Sequence, residues 1–133
     1  MFSTIDAVPE CVPALYEALR TKDLRLLLRS LDPAFVLSAS AGMPLGVGGV
    51  HEGAGAAVGE VWGVVHAAYD IAPVPASVYV TATGTVVVHG WYEGTIRRTG
   101  EATHAEFVHL LEVEDDRLVS LRQITDTASW GTP

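Results

Sequence analysis

The chain has 133 residues, of which 49% are hydrophobic and 18% are charged, and its net charge is −8. A chain of this length is expected to form a single domain, residues 1–133, with a sizeable core. The acidic balance argues against nucleic acid and anionic membranes as partners, because both bind clustered lysine and arginine. The high apolar fraction predicts an internal pocket or a buried contact between subunits.

The cysteine content and the N-terminal sequence indicate the cellular compartment. Cys11 is the only cysteine, so we expect neither an internal disulfide nor a cysteine-based metal site. The N-terminal sequence MFSTIDAVPECVP lacks the basic and apolar segments of a secretory signal. No run of about 18 apolar residues occurs, so no membrane span is expected. We therefore predict a cytoplasmic protein.

The first third of the chain predicts two short helices and a strand. The first helix is expected over about Pro13–Arg20, because apolar residues recur at spacings of three and four: Val12, Leu15, Tyr16 and Leu19. Asp23 is the expected N-cap of a second helix, whose stripe is Leu24, Leu27, Leu28 and Leu31. Asp32-Pro33 ends that helix, and a short strand is expected at Phe35–Leu37.

A glycine-rich stretch and a third helix follow. The segment SASAGMPLGVGGVHEGAG fits a turn-rich connection or a loop at the mouth of a pocket, and it contains no phosphate-binding motif. The apolar spacing then predicts a helix from Ala54 to Tyr69. Gly55, Gly59 and Gly63 recur at every fourth residue of this helix, which predicts close backbone packing.

After Asp70 the apolar period changes to two, which predicts four β-strands separated by turn residues. The expected strands are residues 76–82, 85–96, 102–114 and 117–125. Helices followed by an antiparallel meander indicate an α+β fold with the helices on one face of the sheet.

The turn at Asp115-Asp116 predicts which residues of the last hairpin share a face. If Glu114 pairs with Arg117, then His109 lies opposite Arg122 and Ala105 lies opposite Asp126, unless a bulge shifts one segment. On this register His109, Arg122 and Asp126 share a face, whereas Gln123 lies on the other face.

The preceding turn adds a tyrosine and a glycine to the face of His109. It places Tyr92 on that face, and it places Gly90 near His109, leaving space beside the imidazole. Unpaired buried polar groups are costly, so several of them on one face indicate a network or the wall of a ligand pocket. His109 and Asp126 lie on the order of 13 Å apart along the strands, so they are expected to flank a ligand and not to share a proton.

Both faces of the predicted sheet carry apolar residues. One face is expected to pack against the helices. The other is then expected to be covered by a second copy of the chain, which predicts a homodimer through the sheet.

Two stretches of the sequence resemble SnoaL-like proteins of the NTF2-like superfamily. YEALRTKDLRLLLRSLDPAFVLSAS resembles the opening helices and first strand of these proteins, and EFVHLLEVEDDRLVSLRQITDTA resembles their closing hairpin. The resemblance implies a cone-shaped, curved antiparallel sheet wrapped by about three N-terminal helices. It also implies a central pocket and dimeric assembly.

The resemblance also implies a function for particular residues. It suggests a cofactor-free cyclase or isomerase for a hydrophobic, polyketide-like small molecule, with Asp126 as general acid/base and His109 polarising a carbonyl. The residues expected to bind the substrate are Tyr16, Phe35, Trp62, Tyr92, Arg122 and Gln123. The alternative is a non-catalytic binding or accessory module that uses the same pocket.

Several departures from the superfamily's catalytic patterns narrow the choice. Gln123 stands near the position where several catalytic members carry an acid, and Phe35–Ser40 lacks the carboxylate of ketosteroid isomerases. Epoxide hydrolysis needs an acid and a base around one water molecule. It is disfavoured because Asp126 would have to supply one of these groups alone. No metal site is expected, because the five histidines show neither HxxxH nor HExxH spacing.

Overall fold

The computed structural model describes residues 8–133. The first seven residues, on which the expectation about a secretory signal partly rests, lie outside this range. The helices are α1 (Cys11–Thr21), α2 (Leu24–Ser30) and α3 (residues 54–68), and none of them is long and apolar enough to cross a membrane. The strands are β1 (Leu31–Ala39), β2 (Gly49–Glu52), β3 (Tyr69–Val80), β4 (Val86–Ile96), β5 (Ala102–Glu114) and β6 (Arg117–Thr125).

The six strands form one curved sheet that does not close into a barrel. Their order is β2-β1-β6-β5-β4-β3, and every neighbouring pair is antiparallel except β1 and β6, which are parallel. The three helices pack against this sheet. The α+β prediction is therefore confirmed, including the four-strand meander. The sheet itself is mixed, because β1 and β6 are parallel whereas the other pairs are antiparallel.

The two N-terminal helices begin and end largely where the sequence predicts. α1 begins at Cys11, and Pro13 is tolerated there because the backbone N–H groups of a first turn have no partner inside the helix. Asp23 caps α2 as expected, since its carboxylate accepts a hydrogen bond from the backbone N–H of Leu26 at 3.1 Å. Lys22 adopts the left-handed backbone conformation, with φ 60°, and thereby ends α1 before α2 begins.

Two strands are longer than predicted. β1 already begins at Leu31, which pairs with Leu118 and is not part of the preceding helix. β3 begins at Tyr69 and includes Pro73 and Pro75. Prolines are accepted here because β3 lies at the edge of the sheet, where a missing backbone N–H breaks no ladder on the outer side.

The glycine-rich connection is more ordered than predicted. It contains a short 3₁₀ turn at Pro44–Gly46 and the edge strand β2, whose residues are mostly exposed. Apolar periodicity could not reveal a four-residue strand with no buried face.

The third helix contains a π-helical turn at Ala57–Trp62. The prediction of close packing at its glycines is wrong: a Cβ at Gly55 or Gly59 would meet no atom within 4 Å. At Gly63 a Cβ would lie 2.9 Å from the carbonyl oxygen of Val58 in the same helix. Gly63 therefore relieves crowding inside the π-helical turn and makes no close contact with a neighbouring element.

A bulge in β6 overturns the predicted register of the last hairpin. Val113 pairs with Leu118 as expected, but the register then shifts, and His109 pairs with Gln123 instead of Arg122. The bulge allows both Leu118 and Leu121 to be buried, at 0% and 3% exposure, although they are three residues apart. The shift exchanges the faces of all residues that follow it.

The prediction of open space at Gly90 is also wrong. A Cβ there would collide with the carbonyl oxygen of Val74 and would lie 3.0 Å from Cζ of Phe107. Gly90 instead allows the edge strand β3 to approach β4 closely.

Candidate functional site

His109 lies at the centre of a buried chain of polar side chains on the inner face of the sheet. It is 2% exposed. Its Nδ1 lies 2.7 Å from the hydroxyl oxygen of Tyr16, and its Nε2 lies 2.7 Å from that of Tyr92. Both ring nitrogens therefore have a hydrogen-bond partner.

Four separate elements supply the members of this chain. Tyr16 lies on the buried face of α1, and Tyr92 and His109 lie on the neighbouring strands β4 and β5. Gln123 comes from β6, where the bulge turns it inward beside His109. The site therefore depends on tertiary packing and on the register of the sheet.

Gln123 extends the chain of hydrogen bonds to the backbone just after β1. Its Nε2 donates to the Tyr92 hydroxyl at 2.9 Å, and its Oε1 accepts from the backbone N–H of Ser40 at 3.3 Å. Gln123 is 7% exposed, and both ends of its amide are thus satisfied.

Burial sets the ionisation state of this chain. It lowers the pKa of His109 from 6.5 to about 3, so the imidazole is neutral at neutral pH. The ring packs on Phe107 with centroids 4.0 Å apart, which excludes water from one side. Burial also raises the pKa of Tyr16 and of Tyr92, so both hydroxyls keep their protons.

Two cavities adjoin this chain of hydrogen-bonded side chains. The inner one, of about 30 Å³, is lined by Tyr92, His109 and Gln123, and it has room for a water molecule but not for a ligand. The outer one is a groove of about 540 Å³ between α1 and β3. Tyr16 lines the groove and bonds to His109 in the inner cavity, while Pro73 lines both spaces.

The groove is almost entirely apolar. Its apolar walls are formed by Val8, Val12, Pro13, Ala72, Pro73, Val74, Pro75 and Val78. Its polar residues are Tyr16, Glu17 and Arg20, and the Glu17 carboxylate accepts from Nη2 of Arg20 at 2.8 Å. A space of this size and composition is typical of sites for small organic molecules.

The two predicted aromatic residues Phe35 and Trp62 lie together and form no hydrogen bond in the chain of polar side chains. Their rings stack with centroids 6.0 Å apart. Trp62 lines the inner cavity. Phe35 is fully buried and does not line this cavity.

Arg122 and Asp126 do not join the other predicted site residues. Arg122 is exposed and pairs across the sheet with Leu110 on the outer face. Asp126 is exposed at the end of β6, where its carboxylate accepts a hydrogen bond from the hydroxyl of Ser129 at 2.6 Å. The buried polar residues among residues 8–133 are Ser30, Thr103, His109 and Gln123. No carboxylate is therefore buried within this range.

Sequence reasoning missed Trp130 and His66, which also line the inner cavity. Trp130 follows the last strand, where no periodic pattern indicates burial. His66 lies four residues after Trp62 and three before Tyr69, so helical spacing places it on the apolar face of α3 and could have indicated its position. Burial, together with Lys22 and Arg97, lowers its pKa.

Comparisons with known proteins agree with this architecture. An NTF2-like protein from Burkholderia thailandensis is 27% identical, with 90% of this chain and 91% of that chain covered and a TM-score of 0.78. TerC, co-crystallised with polyporic acid, is 24% identical over 90% of this chain and 91% of its own, with a TM-score of 0.78. A provisionally named polyketide cyclase from Sinorhizobium meliloti is 18% identical over 92% and 100%, with a TM-score of 0.70.

The last two likenesses, at less than 25% identity, concern the fold alone. A search of curated protein sequences finds no significant match. A family model described as a SnoaL-like domain matches residues 12–121, which include nearly all of α1, the glycine-rich connection and most of the sheet. The chain belongs to the SnoaL-like domain family, as its opening helices and closing hairpin indicate.

Proposed function

We propose that this protein binds a small hydrophobic molecule, of the size and character of a polyketide, in the groove between α1 and β3. The observation that carries the proposal is the position of Tyr16. It forms part of the wall of an apolar groove of about 540 Å³, and its hydroxyl is the outer end of the buried chain through His109 and Tyr92. A few placed polar groups in an apolar space give a ligand both affinity and orientation.

Filling the groove is expected to abolish binding. Val78 lines the groove and is half-buried, and it pairs with Val88 on the inner face of the sheet, so Val78→Trp adds an indole on the groove side. Titration with 2-acetonaphthone, followed by calorimetry, should show affinity at least about tenfold weaker than in the wild type, which is about 1.4 kcal/mol of binding energy.

Val50→Trp is the matched control for this experiment. Val50 is 64% exposed on β2, and it does not line the groove. Equal binding by wild type, Val78→Trp and Val50→Trp would show that the groove is not the binding site.

A second candidate function is a cofactor-free cyclase or isomerase that uses the same groove. Such a reaction needs a proton acceptor near the ligand. The sequence suggests Asp126, which is exposed beyond β6, whereas the groove itself contains the carboxylate of Glu17 next to Tyr16. Glu17 is therefore the better placed base, and Tyr16, which is bonded to His109, would stabilise the oxygen of the ligand.

Proton exchange at the methyl group of 2-acetonaphthone in D₂O tests this candidate by NMR. If Glu17 is the base, Glu17→Gln should slow the exchange by about 100-fold or more, while Asp126→Asn leaves it unchanged. The opposite pattern would assign the role to Asp126. No acceleration over buffer by the wild type would leave binding as the function.

We also propose a homodimer through the outer face of the sheet. This face carries Tyr79 and Ile124, which are 49% and 44% exposed, with half-buried Val108 and Leu110 between them. Apolar residues in the middle of a broad sheet are typical of subunit contacts.

Sedimentation analysis tests the dimer. Ile124→Lys should convert the dimer to a monomer, because it places a charge in the middle of the contact. Leu24→Lys is the control, since Leu24 is 53% exposed but lies on α2, on the helical side of the molecule. A monomeric wild-type protein, or a dimer that persists in Ile124→Lys, would contradict the proposal.

A further inference from the structure

We infer that the buried chain of hydrogen bonds runs in one direction, fixed by Gln123, and that Tyr16 therefore offers its hydroxyl proton to the ligand. The inference rests on the proposed binding function and deepens it, because it defines the ligand. The molecule bound in the groove carries a hydrogen-bond acceptor, such as a ketone, quinone or enolate oxygen, at the end that meets Tyr16.

The direction originates at the backbone of Ser40. A backbone N–H can only donate, so the atom of Gln123 that lies 3.3 Å from it is the amide oxygen. The amide nitrogen then faces Tyr92, and it donates to the Tyr92 hydroxyl oxygen at 2.9 Å. Exchanging the two ends of the amide would place two donors against each other at Ser40.

The direction continues through Tyr92. Its hydroxyl oxygen already accepts from Gln123, and within residues 8–133 its other hydrogen-bond partner is Nε2 of His109, at 2.7 Å. The hydroxyl proton is therefore donated to Nε2. In the reverse arrangement the Tyr92 oxygen would accept twice, and within residues 8–133 its own proton would have no protein partner and would depend on a water molecule in the inner cavity.

His109 passes the direction to Tyr16. A neutral imidazole has one donor and one acceptor, and burial keeps the pKa of His109 near 3. If Nε2 accepts from Tyr92, then Nδ1 carries the proton and donates to the Tyr16 oxygen at 2.7 Å. Among the described residues the Tyr16 hydroxyl has no further hydrogen-bond partner, and Tyr16 lines the groove, so in this direction its proton is left for a ligand in the groove.

This arrangement makes Gln123 a positioning residue that acts through three others. It touches no ligand in the groove, yet it decides whether Tyr16 donates or accepts there. An aligned chain also polarises each of its members, which strengthens the terminal donor. An acidic residue at this position would accept from Tyr92, and it would reverse every bond as far as Tyr16.

NMR of the ligand-free protein tests the direction. Long-range ¹H–¹⁵N spectra distinguish a protonated Nδ1 from a protonated Nε2, and His109→Asn identifies the signals of His109. The expected result is that Nδ1 is protonated in the wild type. In Gln123→Glu, above the pKa of the new carboxyl group, Nε2 should be protonated instead.

Gln123→Leu is a second variant that adds no buried charge. It removes the donor to Tyr92, so the predominance of the Nδ1-protonated form should be lost. A wild-type protein with protonated Nε2, or the same tautomer in all three proteins, would overturn the inference whether or not any ligand binds.

A pair of probes tests the consequence for the ligand. 2-Acetonaphthone has a carbonyl oxygen, and 2-isopropylnaphthalene has a similar shape without it. The wild type should bind the ketone about 3- to 10-fold more tightly, as expected for one hydrogen bond, and Tyr16→Phe should lose this preference. An equal preference in Tyr16→Phe would overturn the role of Tyr16. If neither probe binds while Nδ1 is protonated, the groove function fails, and the direction of the chain is still supported.

Discussion

Replacing Trp130 by alanine is expected to lower the free energy of unfolding by about 3–5 kcal/mol, the range for removing a large buried aromatic side chain. Trp130 is 1% exposed. Its ring meets Tyr69 edge-on with centroids 5.3 Å apart and lies 4.7 Å from the ring of Tyr92. Its Nε1 donates to the hydroxyl of Thr125 at 3.1 Å. Urea unfolding followed by circular dichroism measures the loss.

Trp91 provides the matched control for this substitution. It is half-buried on the outer face of β4, where its ring stacks on His104 with centroids 5.9 Å apart. In the Ile124→Lys background, which is expected to leave the outer face uncovered, Trp91→Ala should cost about 1 kcal/mol, because little of the ring is then enclosed and no closed cavity forms. A similar loss in both variants would contradict the structural role given to Trp130.

The second large effect is a loss of stability in acid that originates at His109. In the unfolded chain the pKa is near 6.5, and in the folded protein burial lowers the pKa to about 3. The unfolded state therefore binds a proton that the folded state does not, so stability falls as the pH drops below 6.5. Between pH 7 and pH 4 this residue alone should remove about 3 kcal/mol.

Comparison with His109→Gln isolates this contribution from that of the carboxylates. Glutamine does not titrate, so the variant should lose about 3 kcal/mol less than the wild type between pH 7 and pH 4, whatever its stability at pH 7. Urea titrations at both pH values give the difference. An equal loss of stability in both proteins would contradict the structure, in which His109 is buried and neutral.

Several parts of the fold could be predicted because they depend on local patterns. The apolar stripe that contains Tyr16 predicted the buried face of α1, and Asp23 was recognised as a cap by its chemistry. β4, β5 and β6 are rich in β-forming residues and are separated by clear turns, so their limits were predicted to within one residue. The burial of Tyr92 and His109 on one face also followed from alternation, since no bulge interrupts β4 and β5.

The candidate site was predicted less well, and the bulge in β6 is the main reason. One additional residue, Val119, moved Gln123 to the face of His109 and moved Arg122 to the outer face. The sequence contains a signal for this shift, because Leu118 and Leu121 cannot both face inward in a regular strand. Leucines are common on both faces of sheets, however, so this spacing does not identify a bulge without the neighbouring strands.

The sequence by itself determined most of the elements, the α+β class and the family, because these depend on periodicity, capping and motifs that lie within short segments. Only the tertiary structure decided that Tyr16, Tyr92, His109 and Gln123 form one chain. These residues come from α1, β4, β5 and β6, and they meet through packing and register. Hydrogen bonds of this kind are set by differences of an ångström between distant segments, which residue spacing does not record.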